Sequence, residues 1–343
     1  MSPATGPATH SGSEPSPLPQ RVFQRLDDQR FQSGEALAED LGVTRAAVWK
    51  AVEQLRELGV ALEAQTNRGY RLAKGVTALA PERIEAGLAG EVRERLEALI
   101  VAWTLESTNT RLLESFAPAA GKAAVVLAEH QTGGRGRRGR SWVAPPGGAI
   151  CISISWQYLD MPADLSALSL VVGLAAVQAL RGLGITGVQV KWPNDLVTEQ
   201  GKLGGILIEM RAEAAGPVHL VVGVGLNVML DEAARAAIAA TGNIADDIRA
   251  HRSTVPDRNA IVAALLTWLV PALEAFPSAG LTPHLASWSD CDALQDREVR
   301  IENLGEITRG VARGVDAHGA LLVETPEGVR RFISGEVTVR ADR

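Results

Sequence analysis

Hydrophobic and polar residues alternate through the middle of the chain in a pattern typical of β-strands. Ile150, Ile152, Ile154 and Trp156 alternate with small residues, so one set of side chains faces one side of a strand. Further strands are predicted over residues 123–128, 188–192, 205–210 and 218–228. Apolar residues recur at helical spacing over residues 165–183 and 259–276, and Pro277–Pro283 is expected to break the chain after the second helix.

In the last part of the chain, apolar residues follow the alternating pattern of β-strands and show no helical spacing. Five β segments are separated by turn residues such as His318-Gly319 and Glu327-Gly328. They are predicted over residues 297–301, 309–316, 320–324, 329–333 and 336–340. This pattern predicts a small SH3-like β-barrel.

Near the N-terminus the pattern predicts two short helices and a hairpin. Residues 35–41 form the first helix, Gly42-Val43 turn the chain, and Thr44 is placed to cap a helix that runs to about Leu58. The sequence Thr66-Asn67-Arg68-Gly69 is a hairpin turn signal. Together these elements predict a winged helix-turn-helix. The fold class is therefore α+β multidomain, with a mixed α/β central domain that has a β-sheet core.

The exposed face of the second helix and the hairpin carry the residues that would contact DNA. We expect these to be Thr44, Arg45, Ala46, Trp49, Lys50, Arg68 and Arg71. Residues 20–75 hold nine basic and eight acidic residues, so a monomer should bind DNA weakly and a dimer usefully. The alternative is a helical interaction domain that does not touch DNA.

Composition places these elements in a globular, multidomain protein. Hydrophobic residues are 46% and charged residues 22% of 343, and the net charge of −6 excludes a histone-like coat. Cys151 and Cys291 provide neither a zinc set nor a disulfide framework. No signal peptide precedes Arg21 and the apolar run from Leu168 is short, so we expect a cytoplasmic protein. The predicted divisions are a Pro/Ser-rich tail (1–19), the winged module (20–75), a central domain (82–283) and a C-terminal domain (290–343).

Candidate ligand-binding residues are most concentrated between Gly133 and Trp142, where four arginines and four glycines fall within ten residues. Glycines let the backbone approach a ligand, and arginines donate to phosphate and carboxylate. The segment lacks the spacing of a Walker P-loop. An RNA-binding RGG tract or a solvated basic loop are the alternatives. Lys191-Trp192-Pro193-Asn194-Asp195 ends a predicted strand and places a lysine where it can face a pocket.

These motifs resemble the biotin–protein ligases. The resemblance rests on Ser107-Thr108-Asn109, Gln131, the Gly134–Arg140 loop with Trp142, Lys191–Asp195, Lys202–Leu207 and Gly223–Val228, in the order and spacing of that family. With the winged module before them and the small β domain after them, the chain is similar to the bifunctional bacterial form, which is also the biotin-operon repressor.

The resemblance implies a two-step reaction, in which biotin and Mg-ATP give biotinyl-5′-AMP and a carrier lysine then takes the biotin. Lys191, Arg135 and Arg137 are the implied catalytic residues. The implied biotin-binding residues are Ser107, Thr108, Asn109, Gln131, Gly134, Arg135, Gly136, Arg137 and Lys191. The implied nucleotide-binding residues are Arg138, Arg140, Trp142, Asn227 and Glu336. No metal ligand is assigned.

The implied partners are the biotin carboxyl carrier protein of acetyl-CoA carboxylase, operator DNA of biotin-synthesis genes, and a second copy of the chain once adenylate is bound, with no membrane. ATP and Mg²⁺ serve as substrate and activating ion, and biotin as substrate and corepressor precursor. Two alternatives stay open. One is a ligase whose winged helix is not a working repressor, and the other is a biotin-sensing repressor without ligase activity.

Overall fold

The computed structural model describes residues 16–115, 117–212, 216–303 and 305–339. They form two compact units. The first comprises the described residues up to Glu57 together with Leu62–Leu72, and the second comprises Leu58–Ala61 and the described residues from Ala73 onward. The predicted tail lies outside the described residues as far as residue 15.

The first unit is a helix-turn-helix with a hairpin, as predicted. Its elements are α1 (Leu18–Arg25), α2 (Gly34–Leu41), α3 (Arg45–Glu57), β1 (Leu62–Gln65) and β2 (Gly69–Leu72). Thr44 Oγ1 accepts a hydrogen bond from Ala47 N at 3.2 Å, which confirms the predicted cap of α3. Helix α1 was not predicted, because Pro17 and Pro19 suggest a tail, although proline is compatible with a first helical turn.

A seven-stranded mixed sheet forms the centre of the second unit. Its strands are β3 (Leu96–Leu105), β4 (Ala123–Gln131), β5 (Ala149–Tyr158), β6 (Gln189–Lys191), β7 (Asp195–Val197), β8 (Lys202–Ala212) and β9 (Val218–Asn227). The order is β3-β4-β5-β9-β8-β7-β6, with β3 and β4 parallel and the other pairs antiparallel. The five strands predicted here are confirmed, whereas β3 and β7 were not predicted.

Two long apolar helices pack with this sheet in the main core. The helices of the second unit are α4 (Pro81–Ala86), α5 (Gly90–Arg95), α6 (Thr108–Leu113), α7 (Leu168–Gly182), α8 (Glu232–Ala239), α9 (Arg258–Ala279) and α10 (Leu285–Trp288). By length and composition alone, α9 and the segment Leu165–Gly182 could span a membrane. Their buried residues instead join Ile150, Ile152 and Ile154 in one hydrophobic cluster.

The break predicted at Pro277 is wrong, because α9 continues to Ala279. A proline inside a helix leaves the carbonyl four residues earlier without its usual donor. Here that carbonyl belongs to Leu273, and the Tyr158 hydroxyl donates to it at 2.7 Å. The helix ends at Ala279 and is followed by Gly280, which has a φ of +57°.

A buried ion pair fixes the segment that follows the hairpin. Arg258 is 0% exposed and donates to both carboxylate oxygens of Glu129, at 2.9 and 2.7 Å, and to Ala149 O at 2.8 Å. Its Nε donates to Thr77 O at 2.9 Å, and Leu79 N donates to Glu129. The start of the second unit is thereby joined to β4, β5 and α9.

The C-terminal residues form a five-stranded antiparallel sheet, in the order β13-β12-β11-β10-β14. Its strands are β10 (Glu298–Asn303), β11 (Glu306–Val315), β12 (Leu321–Thr325), β13 (Gly328–Phe332) and β14 (Glu336–Val339). All five predicted strands are present. The sheet is not closed into a barrel within the described range, since β13 and β14 each pair on one side.

Candidate functional site

A cavity of about 430 Å³ opens in the second unit where the central sheet meets the C-terminal sheet. It brings together residues that lie far apart in the sequence. The predicted residues that line it are Ser107, Thr108, Asn109, Gln131, Arg135, Gly136, Arg137, Arg138, Arg140, Trp142, Lys191, Asn227 and Glu336. Gly134 is not one of the lining residues within the described ranges, but its carbonyl accepts a hydrogen bond from the backbone N of the lining residue Trp142 at 2.8 Å.

One end of the cavity is a network of small polar groups at the start of α6. Ser107 caps that helix, and Thr108 donates to Gln131 Oε1 from its backbone N at 2.8 Å and from its hydroxyl at 3.1 Å. The Ser153 hydroxyl lies 2.7 Å from Thr108 Oγ1 and 2.6 Å from Asn109 Oδ1. This end therefore presents fixed neutral donors and acceptors, which suit a neutral polar ring better than an ion.

Two glycines in β9 make room for the side chains above them. A Cβ at Gly223 would overlap Asn109 Oδ1. A Cβ at Gly225 would come within 2.5 Å of Trp142 Cε2, so the indole lies directly on this strand. The glycines are needed here for close packing, not for a left-handed backbone.

The arginine loop folds over the cavity and contacts several side chains. Arg135 donates to Thr110 Oγ1 at 2.7 Å, and Arg137 donates to Asn194 Oδ1 at 3.4 Å. Glu336 of β14 pairs with Arg140 and, at 3.1 Å, with Arg138. Burial acts to raise the pKa of Glu336, but these two guanidiniums outweigh it and the pKa lies below its ordinary value.

Burial affects the loop cation Arg137 and the strand cation Lys191. Burial lowers the pKa of Arg137, Arg138 lowers it further, and Asp195 opposes the shift. Burial also lowers the pKa of Lys191, against the attraction of Asp195. Asp195 is shared, since it pairs with Lys202 at 2.7 Å. The cavity therefore concentrates positive charge with few nearby carboxylates, as an anion site requires.

Two buried polar atoms in the cavity wall have no hydrogen-bond partner within the described part of the chain. They are the donor Trp142 Nε1 and the acceptor Asn227 Oδ1. The amide of Asn227 is oriented by its other atom, because Nδ2 donates to Lys202 O at 3.1 Å and to Asp246 O at 3.0 Å. A ligand that carries both a donor and an acceptor would satisfy this pair.

Several lining or supporting residues were not predicted. Ser153 and Asn194 support the cavity through hydrogen bonds, and the segment Ile238–Asn243 forms part of its rim. Strand alternation places Ser153 on the same face as Cys151, so the pattern contained that signal. Nothing in the sequence marks residues 238–243. Over the described ranges no group of three or more His, Cys, Asp or Glu could hold a metal ion.

In the first unit, Thr44, Arg45, Ala46, Trp49 and Lys50 are all exposed. They lie at and just after the start of α3, and Trp49 is 59% exposed.

The two arginines of the hairpin are held locally. Arg68 and Arg71 lie over the Phe31 ring, at 4.4 and 4.5 Å from its centroid, and Arg71 also pairs with Glu63. The Glu63 pair leaves Arg71 with less free charge for a phosphate than the sequence suggested.

Comparisons with known proteins match three successive parts of the chain to biotin–protein ligase and helix-turn-helix families. Residues 20–71 match an HTH domain, residues 101–227 the Biotin/lipoate A/B protein ligase family, and residues 296–340 the Biotin protein ligase C terminal domain. The bifunctional ligase/repressor BirA of Salmonella typhimurium is 35% identical over 325 residues, which cover 94% of this chain and 98% of that protein. The Escherichia coli protein of the same name is 33% identical with the same coverage.

A solved structure shares the fold over most of this chain. It is the biotin protein ligase from Aquifex aeolicus in complex with biotin and ATP, which is 25% identical, has a TM-score of 0.59, and is matched over 71% of this chain and 99% of that one.

Proposed function

This chain belongs to the biotin–protein ligase family in its bifunctional ligase/repressor form, and from that premise we propose how its cavity works. The protein activates biotin with ATP to biotinyl-5′-AMP and transfers biotin to a lysine of the biotin carboxyl carrier protein. The adenylate-bound protein also represses biotin-synthesis genes through its helix-turn-helix.

One observation carries the proposal. A single cavity joins a neutral polar end at α6, a cluster of arginines with Lys191, and the atoms Trp142 Nε1 and Asn227 Oδ1, which have no hydrogen-bond partner among the described residues. The polar end suits the neutral ring of biotin, the cations suit the biotin carboxylate and the ATP phosphates, and the Trp142 and Asn227 atoms suit a nucleobase. A sensor without ligase activity would not need the cations.

The first step joins two anions, which is where the cations act. A biotin carboxylate oxygen bonds to the α-phosphorus of ATP, and the bond from that phosphorus to the β-phosphate oxygen breaks to release pyrophosphate. Lys191, Arg135 and Arg137 stabilise the charge that develops on the oxygens of the α-phosphate as the adenylyl group is transferred. Arg138 and Arg140 bind the phosphates in place of Glu336, which then faces the nucleotide.

In the second step the neutral amine of the carrier lysine bonds to the acyl carbon. The bond from that carbon to the phosphate oxygen breaks, AMP leaves with the electron pair, and the amine nitrogen loses one proton to solvent. The remaining biotin contacts come from Ser107, Thr108, Asn109, Gln131, Gly134 and Gly136. Mg²⁺ enters with ATP, because magnesium in such sites is held mainly by phosphates and one or two carboxylates.

The domain divisions predicted from the sequence fit this activity: a winged DNA-binding domain (20–75), a catalytic domain (82–283) and an SH3-like C-terminal domain (290–343). We propose that the adenylate-bound protein dimerises, so that two modules of nearly balanced charge reach two half-sites together. The contacts of α3 with DNA come from Thr44, Arg45, Ala46, Trp49 and Lys50, with Arg68 and Arg71 on the hairpin. With ATP and a carrier protein as its substrates, we propose that the protein acts in the cytoplasm.

The test uses the full chain with biotin, Mg-ATP and an unbiotinylated carrier domain. Pyrophosphate release and a carrier mass increased by one biotin, lost when the target lysine is replaced, are expected. Biotin binding with neither pyrophosphate nor labelled carrier would favour the sensor and overturn the ligase.

A further inference from the structure

Glu209 of β8 lies outside the cavity lining but touches two residues that belong to it. Its carboxylate accepts a hydrogen bond from Asn109 Nδ2 at 2.8 Å. Its other oxygen lies 3.6 Å from Arg135 Nη2, the nitrogen that donates to Thr110 Oγ1. Glu209 thus joins the first arginine of the loop to the polar end of the cavity.

The same contacts fix the orientation of Asn109. Its Nδ2 also donates to Leu207 O at 3.2 Å, so both amide hydrogens point toward β8. Its Oδ1 then faces the Ser153 hydroxyl at 2.6 Å, above the space left by Gly223. A continuous chain of polar contacts therefore runs from Arg135 through Glu209, Asn109 and Ser153 to Thr108 and Gln131.

We propose that Glu209 is a positioning residue for the ligase reaction, which holds Arg135 ready at the cavity before biotin arrives. The inference rests on the proposed function, since it assigns Arg135 to the substrate anions. Glu209 itself touches no substrate.

The physical reason is the cost of ordering the loop. Arg135 stands beside three other arginines on a glycine-rich segment, and a long side chain loses rotamer freedom when a ligand fixes it. A carboxylate and a hydroxyl that already hold the guanidinium remove part of that cost before binding. Because the benefit is the same for the bound substrate and the transition state, it should appear in KM and not in kcat.

The experiment is a double-mutant cycle on biotin-dependent pyrophosphate release at saturating Mg-ATP. Glu209→Gln keeps an acceptor for Asn109 and removes the charge that faces Arg135. We expect KM for biotin to rise about 3- to 10-fold, the scale of ordering one long side chain on binding. The value of kcat should change little, and Glu114→Gln, at an exposed carboxylate next to α6, should match wild type.

The second half of the cycle separates positioning from general packing. Arg135→Ala should lower kcat and raise KM, and adding Glu209→Gln to it should raise KM no further. Additive effects, an unchanged KM, or a lower KM in Glu209→Gln would each overturn the proposal; the last would show that Glu209 withholds Arg135 from biotin.

Two further measurements separate a folding defect, and a failure of the proposed function, from a failure of the role proposed for Glu209. If Glu209→Gln lowers the melting temperature, Thr110→Val replaces it in the same cycle, because it removes the other anchor of Arg135. A wild-type protein that releases no pyrophosphate would refute the proposed function itself. Normal wild-type activity with an additive cycle would refute only the role of Glu209.

Discussion

Replacing Gly225 by alanine should weaken ATP binding while leaving biotin binding almost intact. The new Cβ would come within 2.5 Å of Trp142 Cε2 and 2.9 Å of its Nε1, whereas ordinary contacts lie between 3.4 and 4 Å. The indole must therefore move by about 1 Å, a shift large enough to spoil the contacts of a bound group. The strand itself can accept alanine, because Gly225 is not among the glycines with positive φ.

The magnitude follows from what Trp142 would lose. A displaced indole loses one neutral hydrogen bond and part of its packing on the nucleobase, about 1–2 kcal/mol together, or about 5- to 30-fold in KM for ATP. ATP-dependent pyrophosphate release at saturating biotin gives this KM, and calorimetry with biotin alone gives its Kd. Gly182→Ala in α7 is the matched control, since its Cβ would meet nothing within 4 Å.

Gly223 lies two residues earlier on the same face of β9, and its replacement should affect the other substrate. Its Cβ would overlap Asn109 Oδ1, so Gly223→Ala should weaken biotin binding and spare the KM for ATP. If the two variants affected both substrates alike, or if Gly225→Ala left the KM for ATP unchanged, the division of the cavity into biotin and nucleotide ends would be refuted.

Four further results are expected. Lys191→Ala should slow biotinyl-AMP formation about 10²- to 10³-fold with an unchanged melting temperature, and a near-normal rate or an unfolded variant would contradict its assigned role. Because burial lowers the pKa of Lys191 and its charged form is the active one, kcat/KM should fall as pH rises through a value below the ordinary 10.5; Lys191→Arg should move that limb upward. Arg137→Gly should release reactive adenylate, so that an added bystander protein becomes biotinylated more than with wild type. Glu129→Gln breaks the buried pair with Arg258 and should cost about 3–5 kcal/mol of unfolding free energy in urea denaturation, whereas exposed Glu91→Gln should not.

The strands of the core could be predicted because their two faces differ. In β5, Ile150, Ile152 and Ile154 face the helices, which produces a clear alternation. By contrast, β3 stands at the sheet edge, most of its residues are half-buried, and it follows α5 directly at Leu96 without a turn residue. Because neither face of β3 is fully buried, its apolar and polar residues alternate only weakly, and the strand was not predicted.

The cavity could be predicted from the sequence only where its functional residues lie close together along the chain. Four arginines among glycines indicate an anion site at residues 133–142 wherever the chain folds. The contacts of Glu209 depend instead on sheet register, which pairs Ser153 with Gly223 and Gly223 with Leu207. No short-range pattern specifies that register, so the supporting residues emerge only from the fold.

The central claim is that one cavity serves both catalysis and control of DNA binding. The most direct measurement is a gel shift of the full chain on a biotin-synthesis promoter, without ligand, with biotin and ATP, and with added unbiotinylated carrier. The account predicts tight binding only with biotin and ATP together, reversed by the carrier. Equal affinity under all three conditions would contradict it and leave a ligase whose helix-turn-helix does not respond to the adenylate.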